Sequence, residues 1–512
     1  MKRSFFQLVA MGLGISVLGC GTAATVCGCY EYSCAEEFAC ERAPEPVCNA
    51  DPAAGPAEDD CGVFASASLG DDANPGTRAQ PVRTLGRALT LARSGPLRVY
   101  ACAEVFPEAV TVPSGVEIWG GLDCAHDWIY LGGDQRTVLA PAPDLIPLQV
   151  EKGEQGGVST FADLRVEAAD ASAPGGSSIA MLVLPGTAVE VRRSELIAGD
   201  GAKGAPGARG GEVPAKGGAP GSSGGAACSA DSVAGALSVT TVCGEVTTVG
   251  GKGGDGNVAT GGSGNDGQPE PQPNPDGRGL GGAGEVSGVE CWSGEDGASG
   301  TDGGHGLGGR GGGRITLDGW EGERGGDGGN GRHGQGGGGG GGSRGGSLFC
   351  GPGNTPKGGA SGGSGGGGGC GGKGGQGGGF GGASIGLVSF SGDVSLDATS
   401  VVTGRGGDGG AGGLAQFGGA QGAPGSGGVS VGGSHAGCSG GWGGQGGNGG
   451  YGGGGLGGPS LGVAHLLTQP VALHDSAIRT GMPGKGGPGG NQNLPELDGE
   501  DGIRDDTLAF PQ

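Results

Sequence analysis

Few charged side chains on the apolar segments of this chain are placed to do acid–base work. Asp163 with Arg165, Glu190 with Arg192, and Arg193 with Glu195 are each two residues apart. In a strand, residues i and i+2 share a face, so Glu190/Arg192 and Arg193/Glu195 would each lie on one side of a sheet. Polysaccharide-cleaving sites need clustered carboxylates, or carboxylates with Lys and Arg, on such a face. Here the pairs read as an ion-paired strand surface. His465 and His474 lie nine apart with no carboxylate motif beside them and read as surface or packing residues. No GxSxG, HExxH, phosphate-binding loop or dinucleotide fingerprint occurs. The many GxGxxG strings come from glycine runs and lack the strand–turn–helix setting. No catalytic residue, metal ligand or cofactor is therefore assigned.

Composition restricts the elements that could position any site. Of 512 residues, 139 are Gly and 30 are Pro, and aromatic residues are 4%. Glycine buries no side chain and loses the most backbone entropy on ordering, so one conventional core over the whole chain is not expected. The formal net charge of −23 argues against nucleic acid as a partner, because phosphate backbones require a basic patch. It fits solubility and repulsion at a surface.

Lys2 and Arg3 precede an apolar run from Phe5 to Gly19. That run is shorter than the roughly 20 residues of a membrane span and suits a signal peptide over 1–19. It ends in Val17-Leu18-Gly19-Cys20, which resembles the bacterial lipobox. The resemblance implies cleavage before Cys20 and acylation of that residue. With Gly21 following, it also implies outer-membrane retention and display at the cell surface, with the membrane as partner through the lipid. Several acyl chains anchor stably where one does not. Setting Cys20 aside leaves 14 of 15 cysteines, an even number in an exported chain, which favours disulfides. Cys27, Cys29, Cys34, Cys40, Cys48 and Cys61 crowd one stretch without paired CxxC spacing, so 20–60 reads as a Cys-rich stalk.

From residue 61 the chain changes character. A short strand at 63–67 leads into Gly70-Asp71-Asp72-Ala73-Asn74-Pro75-Gly76-Thr77, then Pro81 and a helix over 84–93. Thr84 is its N-cap, and Leu85, Ala88, Leu89 and Ala92 form one apolar face. Gly95-Pro96 stops it. The order of parts resembles the entry motif of pectin-lyase-like right-handed parallel β-helix proteins, with an extra residue at Asp72. The resemblance implies an all-β, right-handed parallel β-helix over 61–200 with an N-terminal capping helix that covers its open end. Short apolar strands follow at solenoid spacing, for example at 110–112, 116–121, 147–150 and 179–184. Cys102 and Cys124 are 22 apart, about one coil, and are expected to pair as a disulfide between adjacent rungs.

Three segments align: SIAMLVLPGTAVEVRRSELIAG (178–199), SIGLVSFSGDVSLDATSVVTG (384–404) and SLGVAHLLTQPVALHDSAIRTG (460–481). Their shared anchors are Val189/Val191/Ser194/Leu196/Gly199, Val394/Leu396/Thr399/Val401/Gly404 and Val471/Leu473/Ser476/Ile478/Gly481. Alternating apolar positions turn one face inward, and the Ser or Thr marks a tight turn. Each segment reads as one rung. Glycine-rich excursions at 201–383 and 405–459 leave from equivalent rung ends. Degenerate rungs are expected near 236–246 and 314–319, and 482–512 reads as a polar tail.

The excursions admit several readings. GAKGAPGARG (201–210) holds too few triplets for collagen. GGSGNDGQP (261–269) resembles a calcium-binding nonapeptide but places Gln268 where a large apolar residue belongs. GGX repeats, as in GGWGGQGGNGGYGG (440–453), match an extended helix of three residues per turn. They resemble the polyglycine-helix bundles of some phage-tail adhesins and antifreeze proteins, in which Trp442, Gln445, Asn448 and Tyr451 would line one face as a candidate contact stripe. A flexible coil is the other reading. The composition also resembles mycobacterial PGRS-type surface proteins. The expected function is structural or adhesive, with an extracellular polysaccharide or a neighbouring surface protein as partner. The alternative is a carbohydrate-active β-helix enzyme or polysaccharide-binding module.

Overall fold

A computed structural model describes residues 32–34, 40–42, 48 and 51–511, apart from 134, 155, 348–349 and 351–355. The chain forms two units, Met1–Cys48 and Asn49–Gln512. In the first, Tyr32–Cys34 pairs antiparallel with Cys40–Arg42. The signal peptide, Cys20 and most of the 20–60 stalk lie outside the described residues.

The second unit is almost entirely β, built on three parallel sheets. The first sheet stacks Val110–Pro113, Leu148–Glu151, Ser178–Val183, Ser384–Ser389, Ser460–Leu466 and Arg504–Phe510. The second runs from Val63–Ala65 through Arg98–Cys102, Glu117–Asp123, Val158–Ala162, Ala188–Arg192 and Asp393–Asp397 to Ala472–His474. The third stacks Val105–Phe106, Thr137–Leu139, Leu164–Ala168, Glu195–Ala198, Ser400–Thr403 and Ala477–Arg479. Successive passes of the chain thus add strands to the sheets in turn, the connectivity of a β-solenoid. The aligned repeats pair in register, Ser178 with Ser384 with Ser460 and Leu196 with Val401 with Ile478.

Like residues at like positions stack along the solenoid axis. Val110, Leu148, Met181, Leu387 and Val463 form one column. Ile118, Phe161, Val191 and Leu396 form the second, and Phe106, Leu139, Val166, Leu196 and Val401 the third. All are buried in one core cluster. Each such side chain contributes about 1.5–3 kcal/mol on leaving water, so the columns rather than any single contact hold the coils together. The helix Leu85–Ala92 joins this core through Leu85, Ala88, Leu89 and Ala92. Thr84 Oγ1 accepts the Arg87 N–H, and Glu108 accepts the Leu85 and Gly86 N–H groups, satisfying donors that a helix start leaves open. Asp72 Oδ1 accepts from the Arg83 and Thr84 amides, tying the preceding polar turn to the start of the helix.

Between the second and third sheets the chain turns in one or two residues. Asp163, Arg193, Ala398 and Asp475 take positive φ there, from 45° to 58°. The following Ser194, Thr399 and Ser476 make a ladder: Ser194 Oγ accepts from Leu164 N–H, Thr399 Oγ1 from Ser194 N–H and Ser476 Oγ from Thr399 N–H. This is the physical reason for Ser or Thr at that repeat position.

Two segments expected as degenerate rungs differ. Val239–Cys243 pairs antiparallel with Val246–Gly250, and Arg314–Thr316 with Gly319–Glu321. Each is a local hairpin, because a tight turn lets the segment pair with itself before a coil is completed. The polar tail also differs: Gly484 and Gly487 bond to Gly458 and Gly455, and Arg504–Phe510 extends the first sheet beside Ser460–Leu466.

The described residues of the glycine excursions bond to one another through their backbones. In the tract at 358–383, Gly372, Gly375 and Gly378 donate to the carbonyls of Gly447, Gly450 and Gly453. In another phase of the same tract, Gln376, Gly379 and Gly382 donate to Ala208, Ala205 and Ala202, while Gly325 and Gly328 donate back to Gly378 and Gly375. Bonds recurring every third residue toward different neighbours are those of extended three-residue-per-turn helices packed side by side. The bundle borders the outer face of the first sheet, where Ile179, Leu182, Ile385, Val388 and Leu461 meet Trp320 and Leu456. The middle of that sheet is therefore buried on both sides: every residue of Ser178–Val183 and Ser384–Ser389 is buried, and these strands are largely apolar runs.

Candidate contact surface on the glycine bundle

The stripe begins with backbone chemistry. In 441–451 the glycines are buried, Trp442 and Gln445 are exposed, and Asn448 and Tyr451 are half-buried. A parallel tract lies alongside, with Gly297, Gly300, Gly303 and Gly306 donating to the carbonyls of Trp442, Gln445, Asn448 and Tyr451. Two rows of side chains result, at a repeat of about 9 Å, so that Trp442 to Tyr451 spans about 28 Å.

At the edge of the bundle, side chains of the adjoining tract accept three amides of the stripe. Asp296 Oδ1 accepts the Trp442 N–H (2.8 Å), Asp302 Oδ1 the Asn448 N–H (2.6 Å) and His305 Nδ1 the Tyr451 N–H (3.1 Å). The device recurs: Asp327 accepts from Gly377, Asn330 from Gly374, Asp255 from Gly235 and Asp408 from Lys485. Several of these carboxylates also meet a cation one turn back, as in Lys252–Asp255, Arg324–Asp327 and Arg405–Asp408. A [KR]-G-G-D pattern is the signal sequence reasoning missed: with three residues per turn, i and i+3 share a face. Part of the acidic composition is thus backbone capping.

A pH dependence follows. The Gly235 amide, then Lys252, hold the Asp255 carboxyl below its ordinary range, and Ser172 with its amide does so for Asp144. A group whose folded pKa is depressed stabilises above its unfolded pKa, about 3.9 for Asp, and loses that contribution as pH falls through the folded value. The denaturation midpoint should hold from pH 7 to 5 and fall below about pH 4. Asp255→Asn should flatten part of that fall; an unchanged acid limb in this variant would refute the assignment.

A third tract passes on the other side, with Gly446 and Gly449 donating to Gly419 and Gln416. Between the tracts lies a shallow depression of about 250 Å³, lined by Asp302, His305, Gln416, Phe417, Asn448 and Tyr451. The His305 and Tyr451 rings lie 5.3 Å apart, and Phe417 is 64% exposed.

The other expected sites fall as follows. Cys102 and Cys124 form a disulfide on neighbouring coils. Cys228–Cys350, Cys243–Cys370 and Cys291–Cys438 tie the bundle. His333 approaches Cys243 and Cys370, but both thiols are oxidised and His333 Nδ1 accepts the Gly371 N–H, so this cluster is structural. Glu190 pairs with Arg192 at 2.6 Å. Arg193 does not pair with Glu195: its positive φ turns it toward Asp163 (2.7 Å) and Asp51 (3.0 Å). Glu195 meets Arg136 at 3.0 Å. Arg165 pairs with Glu167 rather than Asp163, whose Oδ1 accepts from the Tyr130 hydroxyl. His465 Nδ1 contacts the Leu466 carbonyl. These groups make an ion-paired solenoid surface, with no two carboxylates converging on a cleft among those named.

Compared with known proteins, the chain matches no family model, no curated protein and no solved structure.

Proposed function

We propose that this protein is a non-enzymatic cell-surface protein whose glycine bundle is a structural or adhesive contact surface. The solenoid is of the right-handed, pectin-lyase-like kind, and the helix Leu85–Ala92 closes its first coil. A lipid on Cys20 holds the chain to the outer membrane. The observation that carries the reading is the stripe itself. A backbone-packed bundle leaves its side chains in rows outside, with Trp442 in the stripe 44% exposed and Phe417 on the adjoining tract 64% exposed. Isolated exposed apolar residues need no explanation, but aligned ones beside polar groups suit a contact face.

Beads coated with the full chain should adhere to cells or extracellular matrix of the producing bacterium, and the Trp442→Ala/Tyr451→Ala form should adhere at the level of uncoated beads. Equal adhesion by both forms would overturn the reading. Palmitate labelling lost on Cys20→Ala tests the anchor separately.

A further inference from the structure

We infer that the depression between Phe417 and Tyr451 is a carbohydrate subsite, taking one ring of a neutral polysaccharide laid along the rows. This deepens the reading of the bundle as a contact surface and rests on it. At about 250 Å³ the depression falls below the ~300–1,000 Å³ of pockets that enclose drug-sized ligands. It suits one unit of a longer occupant.

Its polar groups are held in place by the backbone. Asp302 Oδ1 is occupied by the Asn448 N–H, Asn448 Oδ1 by the Gly418 N–H, and His305 Nδ1 by the Tyr451 N–H. Gln416 accepts from Lys373 N–H and donates to the Val213 carbonyl. The second carboxylate oxygen of Asp302, the amide hydrogens of Asn448 and the hydroxyl of Tyr451 remain for a ligand. With Nδ1 accepting, a neutral His305 carries its proton on Nε2 and offers a donor. Fixed acceptors beside fixed donors match adjacent hydroxyls, each of which both donates and accepts. The orienting cost is met in advance by the capping bonds.

The rings supply the other half. His305, Tyr451 and Phe417 line one depression in a chain that is 4% aromatic, and their exposed faces suit the apolar C–H faces of a pyranose, as amphipathic rings do at interfaces. The rows give the occupant its form. Asp296 with Trp442, Asp302 with Asn448, and His305 with Tyr451 repeat along the tract, which calls for an extended ligand with its own repeat. Charge then selects among polymers. Asp296 and Asp302 lie in the rows, no cation lines the depression, and the chain carries −23. Uronate or sulfated polymers would be repelled.

The experiment presents the full chain to immobilised glucans, mannans, galactans and chitin, with polyuronates as controls. At least one neutral polymer should retain it, and Phe417→Ala and Tyr451→Ala should each bind about tenfold more weakly, the scale of a lost ring contact in a ligand site. Phe417 is exposed, so its variant should keep the wild-type thermal midpoint. Retention unchanged in the Phe417→Ala form, retention only on polyuronates, or no retention on any polymer would each overturn the subsite. If bead adhesion persists in those cases, through a protein partner for example, the contact-surface reading stands without it. If wild-type beads do not adhere, that reading falls first.

Discussion

Gly375→Ala should unfold the glycine bundle, while Gly304→Ala should leave it intact. Both residues lie in extended tracts and both are glycines in GG pairs. A Cβ at Gly375 would sit 2.1 Å from the Gly413 carbonyl oxygen and 2.5 Å from its carbon, whereas a Cβ at Gly304 meets nothing within 4 Å. The obstruction at Gly375 is backbone that is itself pinned, since Gly413 N–H donates to the Gln376 carbonyl. It cannot swing aside as a side-chain tip would. Separating the two tracts would break their bonds at Gly410/Gly379 and Gly413/Gln376, each contributing a net 0.5–1.5 kcal/mol or so. Overpacking in a close-packed interior costs about 1–3 kcal/mol when neighbours can shift, and a larger loss is expected where they cannot. At Gly304 the same methyl restricts the unfolded chain and should be neutral or slightly stabilising, by up to about 1 kcal/mol. Chemical denaturation with amide exchange over 405–459 measures both. Similar midpoints for the two variants would mean the tracts are not packed backbone to backbone.

The second large effect is expected from the disulfides. Cys228–Cys350, Cys243–Cys370 and Cys291–Cys438 close loops of 122, 127 and 147 residues. On the chain-entropy account, cross-linking a loop of about 100 residues stabilises by about 4.7 kcal/mol, and the term grows slowly with length. Glycine tracts have the most entropy to lose, so these cross-links matter more here than in a chain with a side-chain core. Cys243→Ser/Cys370→Ser releases the hairpin at Val239–Gly250 from the tract at 358–383. It should lower stability by about 4 kcal/mol and remove amide protection at Gly365 and Gly362, which donate to Gly251 and Gly254. Cys102→Ser/Cys124→Ser closes only 22 residues and should cost less, because the coil columns around it hold the register without the bond. If the short-loop variant proved the more damaging, the entropic account of the bundle would fail.

Legibility differed between the two halves of the molecule for a physical reason. The solenoid was readable because its inward positions need a side chain of a definite kind. Val189, Val191 and Leu196 recur as Val394, Leu396 and Val401, and they stack on one another. The Ser or Thr after them was readable as a turn residue, and the ladder of Ser194, Thr399 and Ser476 explains it. The hairpins at 239–250 and 314–321 were misplaced because a short apolar run does not say which partner it will take. The pairing of Arg193 could not be read from i/i+2 spacing, since the φ of 46° that redirects it belongs to a turn whose position only the folded coil fixes.

In the bundle, sequence supplied the period and little else. A GGX repeat states that two positions in three can approach another backbone and that the third can face outward. It does not state whether another backbone is there. The residues alone specified the register of the three aligned rungs, the disulfide-rich chemistry and the phase that puts Trp442, Gln445, Asn448 and Tyr451 on one side. The fold alone settled that the tracts pack together, which of them adjoin, and that Asp302, His305 and Phe417 lie beside that stripe. The reason is that glycine carries no side chain to specify a partner. Its hydrogen bonds are the same to every neighbour, so the choice falls to the solenoid edge and the disulfides that bring particular tracts together.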